Sequence, residues 1–317
     1  MIEVKHLVKR YGNNLAVSDL SFTIEKGRIY GFLGPNGAGK STTMNIMTGC
    51  LAATGGQVLI DGYDIFEQAD KAKRLIGYLP EHPPVYMDRT PTEYLTFVGN
   101  AKGLSGKKLK QEIARVMEVT KITHMKDRLI GHLSKGYRQR VGIAQAILGD
   151  PEVIILDEPT VGLDPMQIIE IRNVITELGK DHTVILSSHI LSEVQAVCET
   201  IMIINGGILI AMDTPENLEK QFAGDTVIQL TACTDSEHLC ELLGQVQNVQ
   251  LVSTTDEEDR CYAELKLTDE DEQGACLAIS KAFMEAGIPV MKLNPAHASL
   301  EDVFIRLTAE ASIKEVR

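Results

Sequence analysis

The stretch GPNGAGKST, Gly34 to Thr42, decides how the rest of the chain is read. It fits the pattern G-x-x-x-x-G-K-[ST] through Gly34, Gly39, Lys40 and Ser41. Glycines let consecutive backbone N–H groups curl around phosphate oxygens. Pro35, Asn36, Gly37 and Ala38 therefore belong to the same cradle, and Thr42 carries the run into a helix expected from about Lys40 to Thr48. That helix presents its positive end to the anion. Lys40 adds a point charge at the β/γ-phosphates, and the Ser41 hydroxyl is suited to ligate Mg²⁺. An apolar strand, residues 28–33, leads into the loop.

Further along, VIILDEPT, Val153 to Thr160, places two carboxylates at the end of a four-residue apolar run. Such a run suits a strand buried on both faces, and ligands of parallel α/β sheets sit at the carboxyl ends of their strands. Asp157 is suited to hold Mg²⁺ through water, and Glu158 to polarise an attacking water. Phosphoryl transfer needs positioning and charge neutralisation more than covalent help.

The surrounding pattern predicts strands at residues 2–6, 20–24, 183–187, 201–205 and 208–212, and a strand and turn over 56–66. Gly206-Gly207 marks a hairpin. Helices are expected after Pro91, over Lys107–Val119 (apolar at Ile113, Val116 and Met117), after Ser134, over Met166–Leu178 and over Leu191–Cys198. Buried strands alternating with helices imply a mostly parallel sheet, with residues 85–150 as a helical insert. Beyond about residue 220 the pattern shifts. Strands at 226–232, 250–254, 261–267 and 288–293 and helices at 236–243, 271–286 and 300–307 read as βαββαβ plus a helix, like a small ferredoxin-like fold.

Composition bounds the function. The 317 residues are 44% hydrophobic and 24% charged, so a core forms. Net charge is −13, and residues 221–317 carry 18 Asp/Glu against 7 Lys/Arg. An acidic C-terminal third argues against nucleic acid as a partner. The six cysteines form no C-x-x-C pair, which points to reduced thiols rather than a disulfide or zinc framework. The N-terminus has no apolar signal-peptide core. No apolar stretch approaches the roughly 20 residues of a membrane helix, so a direct membrane span is not expected.

Taken together these motifs resemble the ATP-binding subunit of ABC transporters. The discriminating segment is LSKGYRQR, Leu133 to Arg140, 17 residues before Asp157 and similar to that family's LSGGQ signature. It keeps Ser134, which can cap the following helix, and Gly136. The resemblance implies a P-loop NTPase core with a mostly parallel sheet, an antiparallel β subdomain and a helical insert, followed by a small α+β domain: an ABC domain over 1–220 and an acidic accessory domain over 221–317. It also implies ATP and Mg²⁺. Tyr11 stands where the family stacks an aromatic on adenine. Val161-Gly162-Leu163-Asp164 resembles the D-loop, whose Asp164 contacts a partner subunit. His189 matches the switch histidine that reaches the γ-phosphate, with Glu158 and Lys40 as catalytic companions. Glu81 occupies the position of the Q-loop glutamine, so a charged oxygen replaces a neutral one toward Mg²⁺ or water. Lys135 and Tyr137 replace the signature's first Gly and its Gln.

The family needs a P-loop from one unit and a signature from another. The resemblance therefore implies a second ATP-binding subunit, two-fold symmetric in a homodimer. SLEDVFIRLT (299–308) and LPEHPPVYMDRTPTEYL (79–95) further resemble ABC-2, exporter-type members. A separate membrane permease of that type is the implied partner, and the cytoplasmic face of the cell membrane the implied location. Two other classes compete: a soluble ABC ATPase of a machine such as the ribosome, and a regulatory module whose acidic domain senses a ligand. The first usually carries tandem units or long coiled-coil insertions, and neither is present.

Overall fold

The computed structural model describes residues 1–222, 227–257, 259–268, 271–296 and 300–305. Among them the chain divides into two compact units, Met1–Pro215 and Glu216–Ile305.

In chain order the first unit contains β1 (Ile2–Tyr11), β2 (Asn14–Ile24), β3 (Ile29–Leu33), α1 (Lys40–Met47), β4 (Gly55–Ile60), β5 (Tyr63–Asp64), α2 (Ala69–Arg74) and β6 (Ile76–Leu79). The helical stretch follows: α3 (Pro91–Ala101), α4 (Gly106–Val119) and α5 (Lys135–Ile147). Then come β7 (Val153–Leu156), α6 (Pro165–Leu178), β8 (Thr183–Ser188), α7 (Leu191–Gln195), β9 (Thr200–Asn205), β10 (Ile208–Asp213) and α8 (Pro215–Phe222), the last crossing the division.

Two sheets result. One is antiparallel, in the order β2-β1-β4-β5; the other runs β10-β9-β3-β8-β7-β6, with only β10 antiparallel to its neighbour. All residues of β3, β7 and β8 are buried, as apolar central strands covered on both faces must be. Phe22 of β2 meets Phe32 of β3 edge-on, 5.4 Å between ring centres, inside a core that draws on both sheets. The predicted hairpin turns at Gly206 and Gly207, with φ of 56° and 75°, the left-handed pair that a two-residue turn requires. Thr90 and Glu93 cap α3 reciprocally and Pro91 opens it, so the chain enters the helical stretch at a defined angle.

Some elements differ from expectation. The edge strand β6 and the helix α2 were not anticipated. The helix expected over Leu191–Cys198 stops at Gln195, because the chain must turn there to lay Cys198 beside Gly31 and enter β9.

The second unit comprises β11 (Val227–Ala232), α9 (Ser236–Leu243), β12 (Val249–Glu257), β13 (Arg260–Leu267), α10 (Glu272–Glu285), β14 (Val290–Ala296) and helical residues 300–305. Its sheet order is β12-β13-β11-β14, antiparallel throughout, which is the ferredoxin-like arrangement. Ile228, Leu230, Leu239, Leu265, Ile279 and Phe283 form its own core. The last strand begins at Val290 rather than Ile288. Gly287 (φ 72°) closes α10 there, with the Ile288 N–H donating to the Phe283 carbonyl at 2.9 Å. Of SLEDVFIRLT, Ser299 and residues 306–308 lie outside the described residues, as does Thr226 of the expected first strand.

Candidate active site

The loop between β3 and α1 frames a cleft of about 370 Å³. Asn36–Thr42 line it together with Ala16, Glu81, Glu158, Val161 and His189. Two glycines have separate reasons to be there. A Cβ at Gly34 would lie 2.2 Å from the Ile204 carbonyl oxygen, so the loop leaves β3 in backbone contact with β9. Gly39 has φ 100° and a Cβ there would meet the Ala16 carbonyl at 2.7 Å. The loop is tied down from outside as well. Gly207 N–H donates to the Ala38 carbonyl at 3.0 Å, and Ser18 N–H donates to the Gly207 carbonyl at 2.9 Å.

Lys40, 5% exposed, donates to the carbonyls of Gly34 at 2.7 Å and Pro35 at 3.2 Å, with Glu158 3.6 Å away. Burial pushes its pKa below the usual lysine value, and the carboxylates of Glu158 and Asp157 oppose that shift. Asp157, at the end of β7, accepts from Ser187 Oγ at 2.6 Å and Ser41 Oγ at 3.1 Å. Burial holds its pKa above the usual carboxylate value, an upward shift that the two hydroxyl donors only reduce. Ser187 Oγ also accepts the Glu158 N–H at 2.8 Å, so one buried hydroxyl of β8 orients both carboxylate residues.

Glu158 is 7% exposed and holds a left-handed backbone, φ 47°. For a residue with a long side chain that conformation costs about 1–2 kcal/mol, and such strain persists only where neighbours over-determine it. Glu158 Oε2 lies 3.0 Å from His189 Nδ1. Glu81, just past β6, brings a second carboxylate to the cleft lining beside Glu158, half exposed and 3.9 Å from His82. Behind the loop, the Tyr78 hydroxyl donates to Asn45 Oδ1 at 3.1 Å, and Asn45 Nδ2 donates to the Ser41 carbonyl at 2.8 Å.

Four expected site residues stand elsewhere. Ser134 caps α5, its Oγ accepting the Tyr137 N–H at 3.4 Å, and Asp164 caps α6, accepting the Gln167 N–H at 2.9 Å. The two helix starts are packed together: a Cβ at Gly136 would lie 2.6 Å from Gln167, and one at Gly162 would lie 2.3 Å from Lys135 Nζ. None of Ser134, Gly136 and Asp164 lines the cleft. Neither does Tyr11, which ends β1 at 48% exposure under the Lys9 ammonium, 5.1 Å from its ring centre. Sequence reading did not single out Ala16 or Ser187, and it named Val161 only as part of the D-loop resemblance. Ser187 had a weak signal, as the serine two before His189 in a fully buried strand; Ala16 had none.

Among the described residues no helix is long and apolar enough to cross a membrane. Residues 17–161 match the family model described as "ABC transporter". The chain is 36% identical over 315 residues to the bacitracin transport ATP-binding protein BcrA of Bacillus licheniformis, covering 99% of both chains. It is 32% identical over 309 residues to the linearmycin resistance ATP-binding protein LnrL of Bacillus subtilis strain 168, covering 97% and 98%. A solved structure described as the ATP-binding subunit of an ABC transporter superposes with a TM-score of 0.64 at 30% identity, over 70% of this chain and 93% of that one. With a phosphate-cradling loop, paired carboxylates and a histidine converging on one cleft, the chain belongs to the ABC transporter family, as an ATP-binding and ATP-hydrolysing subunit of exporter type.

Proposed function

We propose that two copies of this chain close around two ATP molecules and drive export through a separately made membrane permease of the ABC-2 class, docked at the cytoplasmic face. One observation carries the reading. The cleft is lined by the loop, Glu158 and His189, with Asp157 bonded to the loop's Ser41 at 3.1 Å, while Ser134, Gly136 and Asp164 lie off it. A nucleotide bound there is contacted from one side only, and the helix start led by Ser134 is free to serve the cleft of a second copy. The relatives named for bacitracin transport and linearmycin resistance support export as the direction.

Ser41 Oγ and the Asp157 carboxylate, 3.1 Å apart, form an all-oxygen donor set. Among the described residues no group of three or more His, Cys, Asp or Glu could hold a metal by itself. That donor set fits Mg²⁺, which keeps several waters and takes one or two protein oxygens plus phosphate. When bound, Mg²⁺ neutralises charge on the β- and γ-phosphates. The protein's own residues do the rest. Backbone N–H groups of residues 36–42 and the start of α1 bind the phosphates. Lys40 supplies a buried cation. Glu158 orients and polarises the attacking water, and His189 holds the Glu158 carboxylate in place. Closure of the second copy excludes water and completes the charge neutralisation; hydrolysis weakens the interface and reopens it, moving the permease between conformations.

Glu158→Gln tests this. Turnover falls by about 10²–10³-fold, and light scattering finds a stable dimer in ATP that the unmutated protein forms only transiently. Near-normal turnover, or a strictly monomeric variant in ATP, overturns the reading.

A further inference from the structure

Glu193 is a buried acid that the hydrolytic reading leaves without a task. It lies on α7, is 5% exposed and has no cationic partner among the ion pairs of the described residues. Two buried hydroxyls converge on its Oε2: Thr160 Oγ1 donates in a very short hydrogen bond, and Ser188 Oγ donates at 3.0 Å. Ser188 Oγ also accepts the Ile190 N–H at 3.0 Å. The direction of Glu193 is fixed by its neighbour. Val194 is fully buried against β3, so closely that a Cβ on Gly31 would lie 2.1 Å from it.

The two hydroxyls belong to decisive places. Thr160 is two residues after Glu158, and Ser188 immediately precedes His189. A closed ring follows: Glu158 touches His189 at 3.0 Å, His189 is bonded to Ser188, Ser188 and Thr160 share Glu193, and Thr160 leads back through Pro159 to Glu158. Glu158 keeps its left-handed backbone inside this ring. A buried carboxylate is costly unless hydrogen-bonded, and here its acceptor capacity joins the two segments a further time, in addition to the Glu158–His189 contact and the Ser187–Glu158 bond.

We infer that Glu193 is a positioning residue: by gripping Thr160 and Ser188 it holds Glu158 and His189 in register, and it ties the turn at residues 161–164 to the switch histidine. The inference rests on the reading of Glu158 and His189 as the hydrolytic pair. Glu193 itself touches no nucleotide position, since it does not line the cleft.

The experiment compares Glu193→Gln, Glu193→Ala, Thr160→Val and Ser188→Ala in the full chain, with Glu158→Gln as the reference. Glu193→Gln keeps an acceptor oxygen and retains kcat within about 3-fold, whereas Glu193→Ala lowers kcat by about 10- to 100-fold with the KM for ATP within about 2-fold. Hydrogen exchange of the protein without nucleotide gives a second readout: in Glu193→Ala the amides of 158–164 and 187–190 exchange faster together, while those of α1 do not change. Unchanged kcat in Glu193→Ala, or a raised KM at constant kcat, overturns the inference. If Glu193→Ala does not fold, Thr160→Val and Ser188→Ala decide it: each must lower kcat at constant KM, and full activity in both overturns the inference. Undiminished turnover in Glu158→Gln would instead mean that the reading of the hydrolytic pair has failed, an outcome distinct from loss in Glu158→Gln with no effect at Glu193.

Discussion

His189 Nδ1 stands 3.0 Å from Glu158 Oε2, so the histidine that lines the cleft is held against the acid. Its side chain is 37% exposed, against 9% for that of Glu158. The pair therefore has a sheltered member and an accessible one, and their loss should be felt differently. His189→Ala should lower kcat by about 10²-fold and leave the KM for ATP within about 3-fold. It should also leave folding stability within about 1 kcal/mol, since a half-exposed ring buries little area. Steady-state phosphate release and a urea titration check both halves.

Gly34 is required for contact, not for backbone freedom. Gly34→Ala drives a methyl group against the Ile204 carbonyl of β9, a backbone atom that cannot swing aside. The variant should lose about 3 kcal/mol of stability and bind ATP weakly. A shifted denaturation midpoint together with a weakened calorimetric titration is the expected result; a fully stable variant would contradict the close approach.

Every residue that lines the cleft lies within Met1–Pro215, and the second unit has a core of its own. A chain ending at residue 222 should therefore still bind ATP, with a Kd within about 3-fold of the full chain. Nucleotide titration of the shortened protein measures it. Loss of binding would show that the second unit supports the cleft.

Asp64 contributes acid-sensitive stability. Burial works to raise its pKa, but the N–H groups of Glu67 and Phe66 at 3.0 and 2.8 Å and the Gln57 amide at 2.9 Å outweigh it and hold the value below the usual one. A lowered folded-state pKa means that the unfolded chain binds the proton more readily. The contribution is thus complete above about pH 4 and is lost as pH falls through the lowered value. Asp64→Asn should cost about 1–2 kcal/mol at pH 7 and flatten the acid limb of the stability curve. Urea midpoints at pH 7 and pH 3 test the sign.

Much of the first unit could be read from residue order because its central strands are short apolar runs ending in chemistry: Val153–Leu156 before Asp157 and Glu158, and Ile29–Leu33 before the glycine loop. The edge strand Ile76–Leu79 was not legible. Four residues with a glycine at the second position carry no period, and the strand exists because it pairs with β7 and packs Gly77 against the Ala146 carbonyl. Ser187 and Glu193 escaped for a related reason. In the sequence one is an ordinary polar residue ending a buried strand and the other follows it in a helix, and only the parallel register of β7 with β8 brings Ser187 to both carboxylate residues and Glu193 to Thr160. Tyr11 was legible only through the resemblance, which places an aromatic on adenine there; in the structure its ring is exposed beside Lys9.

The ties from Gly207 to Ala38 and Ser18, with the Ala16 carbonyl packed on Gly39, hang the glycine loop from the antiparallel sheet and the six-stranded sheet at once. A tilt of one sheet against the other cannot occur without re-aiming the amides that would face a phosphate. Conversely, a phosphate that fixes those amides stiffens the seam between the sheets. Nucleotide affinity and the set of the two sheets are thereby coupled through these ties, and the coupling is measurable from either end.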